Sequence, residues 1–343
     1  MKRIGISEGA LDRTLPAHEQ LHAQALDYMK NKRWGEASTL YLTLLDSGVE
    51  DDDILNNSIV VFDYAGQYEA MLRVARLLLD RYPFTAPPLA YRARALQKLN
   101  RISEATIAND QALLLDTTFP LAWINRGGLQ LLQQKFTEAL HSTQRAIELA
   151  PDDARAWTNR GIALLNINNL IEALNAFDKS LICDPASLFT YKMKGELLLK
   201  MGRLRDAVTN SRKALELNPI DVDALTYATK ALRSLELYDS LKEIAGELTR
   251  VQPDSLFAWE NYMRALRGLG DFEAASLVHD RVLELAPTDF RLWTLKADTL
   301  YRLQHYREAA NAAERALYFE PDYFPAERLR ERSLRLMYQK KKM

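Results

Sequence analysis

The segment with the most recognisable chemistry lies near the start of the sequence, where residues 18–22 read HEQLH. Two histidines one helical turn apart can bind zinc while the glutamate between them acts as a general base. The surroundings argue against that role, because Pro16 interrupts the helix that zinc peptidases carry before the first histidine, and Gln24 stands where they usually carry an apolar residue. We therefore assign Leu21 to a hydrophobic core and keep a zinc hydrolase, or an incidental surface metal site, only as a disfavoured alternative.

The other residues that could do chemistry are scattered along the chain. His141, His279 and His305 are far apart, and local spacing provides no nucleophile beside a base. Gly127 and Gly128 are followed by LQLLQQ, whereas a phosphate-binding loop would continue with a lysine and a hydroxyl residue. The sequence therefore predicts a protein that is not an enzyme, with no catalytic residues, no metal ligands and no cofactor.

The charge of the chain is balanced, with 45 Lys and Arg against 46 Asp and Glu among 343 residues. No bulk excess of positive charge is present to hold a phosphate backbone, so general nucleic-acid binding is disfavoured. The run Lys340, Lys341, Lys342 is interpreted as a solvated tail, with contact to a phosphate or an acidic partner as the alternative.

Several features bear on the cellular compartment. The single cysteine, Cys183, can form no internal disulfide, which fits a reducing environment. The N-terminal segment has no apolar run of signal-peptide length, and no later segment approaches ~18 uninterrupted apolar residues. We expect a soluble, cytoplasmic protein.

These residues lie in a chain with a 34-residue period, which the stretch 154–187 displays most clearly. The residues that carry the pattern are Trp157, Gly161, Ala173, Phe177 and Pro185. The spacing predicts two short helices, roughly 154–168 and 171–184, each too short to be stable alone in water. The small residues let the helix axes approach, the large ones fill the flanking space, and the proline ends the unit.

This pattern resembles the tetratricopeptide repeat. The resemblance implies an all-α fold, a right-handed α-solenoid (superhelix) of nine 34-residue helix-turn-helix repeats followed by a C-terminal capping helix. We expect one solenoid, since a detected repeat overrides a domain count based on length. The predicted repeats start at residues 18, 52, 86, 120, 154, 188, 222, 256 and 290 and end at 323.

Aligning the repeats tests the period. Position 4 is always large and apolar, and position 20 is alanine except at Met71 and Leu241. Those two repeats carry Ala75 and Ala245 four residues later, so large and small members of the packing pair have exchanged places. Prolines close the repeats in register at 83, 151, 185, 219, 253, 287 and 321.

The two ends of the chain fall outside the repeats. Residues 1–17 show no sustained periodicity and are interpreted as an N-terminal arm. Residues 324–343 begin with Pro325 near a helix start and carry a narrow apolar stripe of Ala326, Leu329 and Leu336 among arginines. We expect a capping helix with a basic tail, because the last repeat of a solenoid would otherwise expose its apolar face.

The resemblance also implies that positions 2, 5, 6, 9, 12 and 13 of each repeat point into a concave groove. That lining is mixed in the first three repeats, with Asp53, Asp63, Arg94 and Lys98 among its members, apolar in the next three and basic in the last three. The predicted partner-binding residues are Tyr91, Ile124, Asn125, Asn159, Ile162, Phe189, Met193, Lys230, Arg233, Arg264, Arg267, Arg291 and Arg302.

Two specialised members of the family provide more specific patterns. Members that bind the acidic tails of heat-shock chaperones use lysine, asparagine and arginine at set positions of three consecutive repeats, and no window here fits. The O-GlcNAc transferase superhelix carries an asparagine ladder at position 6 that grips peptide backbone. Asn125 and Asn159 are the adjacent matches, so we expect that they could grip a partner's backbone, although the catalytic part of that enzyme is absent.

The leading interpretation is a non-catalytic protein–protein interaction scaffold or adaptor. Its partner would be an extended or helical protein segment with apolar anchors and acidic residues, because an apolar floor lies beside fork-shaped cations. A nucleic-acid-associated protein that uses the basic C-terminal groove and tail is the alternative. A third interpretation is that the apolar residues pack between repeats and the arginines form a solvated, salt-bridged surface.

Overall fold

A computed structural model of the protein describes residues 16–340. Most of the predicted N-terminal arm (1–15), together with Lys341 and Lys342 of the predicted tail, lies outside the described residues. Within residues 16–340 the regular structure consists of nineteen α-helices and no strand, which confirms the predicted all-α fold of consecutive helix pairs.

The chain forms two compact units, and the first of them ends at Cys183. The helices of unit 1 are α1 (Ala17–Lys30), α2 (Trp34–Asp46), α3 (Asp52–Ala65), α4 (Tyr68–Arg81), α5 (Ala86–Lys98), α6 (Ile102–Leu115), α7 (Pro120–Leu132), α8 (Phe136–Leu149), α9 (Ala154–Asn166) and α10 (Leu170–Cys183). They form five helix pairs, in which the odd-numbered helix is the first helix of each pair and the even-numbered helix is the second.

Unit 2 begins at Asp184. Its helices are α11 (Leu188–Lys200), α12 (Leu204–Leu217), α13 (Val222–Ser234), α14 (Tyr238–Val251), α15 (Leu256–Gly268), α16 (Phe272–Leu285), α17 (Phe290–Arg302), α18 (Tyr306–Phe319) and α19 (Phe324–Lys340). The 34-residue period continues unchanged across the boundary between the units. The sequence pattern therefore did not predict where the two units divide.

The turn inside each helix pair is the same throughout both units. Its left-handed residue recurs every 34 positions, at Lys32, Gly66, Asn100, Gln134, Asn168, Gly202, Glu236, Gly270 and Gln304. At Gln134 (φ 59°), for example, the Lys135 amide donates to the Gln130 carbonyl at 2.8 Å and closes the end of α7. Only three of the nine positions carry glycine, so composition alone did not identify this turn.

Three of the four tryptophans at position 4 donate a hydrogen bond to a closing proline, and Trp123 donates to the Thr117 carbonyl instead. The Trp157 indole N–H donates to the Pro151 carbonyl at 2.8 Å, and Trp259 and Trp293 donate in the same way to Pro253 and Pro287. These indoles are half-buried, and the residue that ends one repeat supplies their acceptor to the next. Two columns that looked independent in the sequence therefore form one contact.

Small residues permit the close packing of each pair, as the spacing predicted. A β-carbon on Gly161 would lie 2.5 Å from the Phe177 ring, so α9 and α10 approach at a point where only glycine fits. Ala173 and Phe177 are fully buried there. The exchanged residues Met71 and Leu241 are also fully buried, which agrees with conserved volume at those positions.

The first helices define an inner face in each unit. In unit 1, α3 packs against α5, α5 against α7 and α7 against α9; in unit 2, α11 packs against α13 and α13 against α15. The second helices of the described chain show no comparable packing against one another. Each unit therefore curves towards its first helices, which form the face that we call the inner face.

The last helix covers the end of unit 2. Helix α19 packs against both α17 and α18, with Ala326 fully buried and Leu329 against the cluster that contains Ala297 and Leu300. This position is the one expected of a helix that covers the apolar surface of a final pair.

Candidate functional site

The HEQLH segment belongs to the packing of the first helix pairs. Pro16 stands directly before α1, and Leu21 packs against the core of unit 1. The Nε2 atom of His22 lies 3.4 Å from the Asn57 amide nitrogen, and its ring meets Tyr41 edge-on. Among residues 16–340, no three or more His, Cys, Asp or Glu side chains come together in a group that could hold a metal ion.

Among the groups that normally titrate near neutral pH, His279 has the most strongly shifted pKa. Its side chain is fully buried on α16, and its Nε2 atom lies 2.9 Å from the Thr299 hydroxyl oxygen. Burial, and then the positive charges of Arg267 and Lys296, lower its pKa to about 3. The ring is therefore neutral at physiological pH and belongs to the packing between α16 and α17.

The two asparagines expected to grip a partner's backbone hold this chain's own backbone. The Asn125 amide donates to the Ala90 carbonyl at 2.8 Å, and the Asn159 amide donates to the Ile124 carbonyl at 3.1 Å. Each bond joins one first helix to the first helix of the preceding pair. These donors therefore tie α5, α7 and α9 together, an internal role that the repeat pattern did not reveal.

The predicted apolar members of unit 1 differ in exposure. Ile124 is buried in a cluster with Ala146, Ile147 and Ala156, so it is a core residue and cannot form part of an exposed lining. Ile162 and Tyr91 are half-buried, and burial raises the pKa of the Tyr91 hydroxyl.

On the inner face of unit 1, positive charges are compensated, which means that they form ion pairs within the chain, around one buried carboxylate. The Asp63 side chain is 4% exposed and pairs with Arg94, and its other oxygen accepts from Arg155 at 3.0 Å. Arg155 also pairs with Asp153 at 2.6 Å. A carboxylate on α3 thus meets a guanidinium on α9, three helix pairs farther along the array, so the inner face of unit 1 is strongly concave.

The pKa values in this cluster follow from that arrangement. Burial alone would lower the pKa of Arg155, but its hydrogen bond with Asp153 and the charges of Asp153 and Asp63 outweigh burial and raise it. Burial and the nearby charge of Arg94 lower the pKa of Lys98. Each guanidinium is therefore held by an internal carboxylate, and Lys98 is the cation of the cluster with no ion pair in the described chain.

Arg267, one of the predicted partner-binding residues, has internal contacts within unit 2. It is 18% exposed, donates to the Leu295 carbonyl at 2.6 Å and the Thr299 hydroxyl at 2.5 Å, and pairs with Asp298 at 2.7 Å. Burial lowers its pKa more than Asp298 raises it. Arg267 therefore joins α15 to α17 and is less available to a ligand than an exposed cation would be.

The two predicted arginines of α17 also have internal contacts. Arg302 donates to Asp298 at 3.0 Å and lies over the Phe272 ring. Arg291 is exposed and lies over the Phe290 ring. Asp298 therefore forms ion pairs with two arginines, as Asp63 does in unit 1.

The remaining predicted cations of unit 2, Lys230 and Arg233 on α13 and Arg264 on α15, are exposed. None of the three side chains has an ion pair or hydrogen bond within residues 16–340, and Arg233 lies 5.8 Å from the centre of the Phe257 ring. The nearest acidic group of the same face is Glu260, whose pKa is raised by burial and by Asp289, against the opposing charges of Arg264 and Arg233.

The apolar residues predicted in unit 2 lie on α11. Phe189 is 55% exposed and Met193 is half-buried. The neighbouring cation Lys192 is compensated, because it pairs with Asp223 at 2.5 Å and with Asp221 at 3.5 Å. The first helices of unit 2 thus present exposed apolar surface on α11 and uncompensated positive charge on α13 and α15.

Sequence reasoning missed which cations are compensated, although the sequence contained a signal. Asp63 and Arg94 are 31 residues apart, and so are Arg267 and Asp298. This separation joins position 12 of one repeat to position 9 of the next. A search for opposite charges at a separation of 31 would have found both pairs.

Comparison with known families identifies the fold. One tetratricopeptide-repeat family model matches residues 129–187, and a second matches residues 190–221 and 290–323. With the helix pairs and their period, these matches show that the chain contains tetratricopeptide repeats, the repeat that its residue spacing resembles. Repeats of this family support a protein-interaction scaffold in general, and its members are generally not enzymes.

Several solved structures are similar to this chain. PilF of Pseudomonas aeruginosa is 21% identical, with 61% of this chain and 95% of that chain covered and a TM-score of 0.52. A tetratricopeptide-repeat protein of Parabacteroides merdae is 19% identical over 73% and 98% of the two chains, with a TM-score of 0.44. YrrB, described as having an unusual peptide-binding site, is 19% identical over 54% and 96%, with a TM-score of 0.45. A comparison with curated protein sequences gives no match.

Within residues 16–340, no helix combines the length and apolar character that crossing a membrane requires.

Proposed function

We propose that this protein is a non-catalytic scaffold that binds a segment of a partner protein along the inner face of unit 2. The segment carries bulky apolar side chains beside Phe189 and Met193 and acidic side chains near Lys230, Arg233 and Arg264. The partner segment is extended or helical, and the proposal depends only on the order of its side chains.

One observation carries the proposal: three exposed cations of α13 and α15 have no ion pair within residues 16–340. Guanidinium groups bind carboxylates through two parallel hydrogen bonds, and these are stronger than bonds between neutral groups. The uncompensated charge of this face therefore favours an acidic partner, both in its final contacts and in the rate of encounter.

The apolar residues of α11 give the segment a direction. Phe189 exposes more than half of its surface, and an apolar side chain bound there would leave water together with it. A charged side chain beside Phe189 would cost several kcal/mol unless it found a partner. The acidic residues of the segment are therefore assigned to the end that meets α13 and α15.

The inner face of unit 1 differs, since Asp63 and Asp153 already hold Arg94 and Arg155. An acidic ligand there would have to displace an internal carboxylate before it gained a bond of its own. For that reason we assign the acidic part of the partner to unit 2. We also propose a reducing, cytoplasmic location, which the single cysteine supports.

A selection from phage-displayed random peptides on the full chain tests the proposal. We expect enrichment of peptides that combine bulky apolar residues with a following or preceding acidic group. A variant with Lys230→Glu and Arg233→Glu should lose these peptides, while one with Arg205→Glu and Arg212→Glu, two exposed cations of the second helix α12, should retain them. Enrichment that depends on the α12 pair alone would contradict the proposed face.

A DNA-binding measurement on the same protein preparation distinguishes the proposed function from the nucleic-acid alternative. Labelled single-stranded DNA should bind weakly at physiological salt, because the cations of this face are few. Tight DNA binding that falls steeply with salt, and that Lys230→Glu with Arg233→Glu abolishes, would replace the proposed function by the nucleic-acid alternative.

A further inference from the structure

Consecutive first helices meet in a constant register, which both units show. We call the meeting of two consecutive first helices a junction. At one junction of unit 1 Asp63 pairs with Arg94, and at one junction of unit 2 Arg267 pairs with Asp298 at 2.7 Å. At another, the Gln97 amide nitrogen lies 2.7 Å from the place of a β-carbon on Gly128. In each case the two residues are 31 positions apart and their side-chain positions are adjacent.

The same register places Arg233 of α13 against Arg264 of α15 in unit 2. The carboxyl group of Glu260 is within electrostatic reach of both guanidiniums, which agrees with their lying close together. Both arginines are exposed, and neither forms an ion pair in the described part of the chain. This junction thus has two cations where its neighbour, Arg267 with Asp298, has a cation and an anion.

We propose that Arg233 and Arg264 together bind one carboxylate of the partner segment. This proposal rests on the proposed function and assigns the contact within it that determines specificity. Two like charges at adjacent positions repel each other, and an anion between them converts that repulsion into two attractive contacts. The carboxylate would occupy the place that the internal carboxylate occupies at the neighbouring junction.

The surroundings favour a single carboxylate over a chain of phosphates. On the α17 side the next cation, Arg267, is already held by Asp298, and on the α11 side Lys192 is held by Asp223. A phosphate backbone carries a charge at every residue and binds best along a continuous row of cations. Apart from Lys230 on α13, the cations on both sides of the arginine pair are held by internal carboxylates, which suits one acidic group in a peptide.

A double-mutant cycle on the full chain tests this assignment. The probes are peptides selected on the wild-type protein, each also made with its Asp or Glu residues changed one at a time to Asn or Gln. Arg233→Gln and Arg264→Gln should each weaken binding about 10- to 100-fold. With either arginine replaced, changing the bound carboxylate to an amide should cause little further loss, because the interaction is already broken.

Matched controls separate the outcomes. Arg212→Gln, at an exposed cation of the second helix α12 outside the proposed face, should leave the affinity within about 2-fold. Amidated and free C-termini decide whether the bound carboxylate is a side chain or the end of the chain. Peptides that bind but show additive effects for arginine and carboxylate would overturn the arginine clamp while leaving the proposed function intact. If no peptide is selected on the wild-type protein, the proposed function itself fails.

Discussion

The junction of Asp63 with Arg94 in unit 1 and the junction of Arg233 with Arg264 in unit 2 have the same backbone register and opposite consequences. At the first, a buried carboxylate holds two guanidiniums and leaves them little capacity for a ligand. At the second, two exposed guanidiniums form no ion pair in the described chain, although Glu260 is within electrostatic reach of both. The position of a cation in the repeat therefore does not determine its availability, whereas the residue 31 positions away does.

The largest expected effect is on the compensated junction of unit 1. Asp63→Asn keeps the side-chain volume but removes the charge that Arg94 and Arg155 share, so we expect a loss of about 3 kcal/mol in the free energy of unfolding. Urea titration measures it. The exposed Asp80→Asn should cost less than about 0.5 kcal/mol, and equal losses for the two variants would show that the Asp63 cluster is not specially stabilising.

In unit 2, two neighbouring arginines of α15 should differ in how much their replacement changes the stability of the protein. Arg267→Gln should destabilise the protein by about 2 kcal/mol, because Asp298 and the Leu295 carbonyl lose a buried charged donor. Arg264→Gln should leave stability unchanged or slightly higher, because it removes a like charge. Thermal unfolding of the two variants side by side checks this, and a greater loss for Arg264→Gln would contradict the assigned roles.

His279 makes unit 2 sensitive to pH. Its folded pKa of about 3 lies below the unfolded value of about 6.5, so the unfolded state takes up the proton first as the pH falls. The contribution of this group to stability is complete above pH ~6.5 and is lost progressively towards the folded pKa. We expect a loss of about 1 kcal/mol between pH 7 and pH ~5.5. His279→Gln should reduce that pH dependence, and an unchanged slope would assign it to other groups.

The smallest expected effect on stability comes from giving the Arg233–Arg264 junction the cation–anion pairing of the Arg267–Asp298 junction. Arg264→Asp would place a carboxylate opposite Arg233, in the register of Arg267 and Asp298, and should stabilise the protein by about 0.5 kcal/mol or leave it unchanged. Chemical unfolding measures this change. A clear loss of stability would indicate that Arg264 has a packing role that its exposure does not suggest.

The fold could be predicted from the sequence because its determinants are local and repeated. The alanine column, the aromatic column and the closing prolines each recur every 34 residues, and the helices begin in the same register. What the sequence did not indicate was the left-handed turn at residues such as Lys32 and Glu236, since these side chains do not favour that conformation. The helix packing on both sides of the turn holds them there.

The candidate site was less accessible to sequence reasoning, because availability depends on contacts between repeats. Asn125 was placed correctly on a first helix, yet its amide binds the Ala90 carbonyl of the preceding pair. Arg267 was placed in the right column, yet it is held by residues of α17. The sequence identified candidate positions on the first helices, and only the three-dimensional contacts distinguished occupied side chains from free ones.

Isothermal titration of the full chain with a selected acidic peptide tests the central claim most directly, because it compares wild type with Arg264→Asp. Placing an internal carboxylate beside Arg233 should weaken peptide binding by more than about 30-fold while stability is retained, since the internal group competes with the ligand and repels it. The matched change Arg212→Asp on α12 should leave the affinity within about 2-fold. An Arg264→Asp protein that is stably folded and binds the peptide as tightly as wild type would contradict the claim that this uncompensated junction is the binding site.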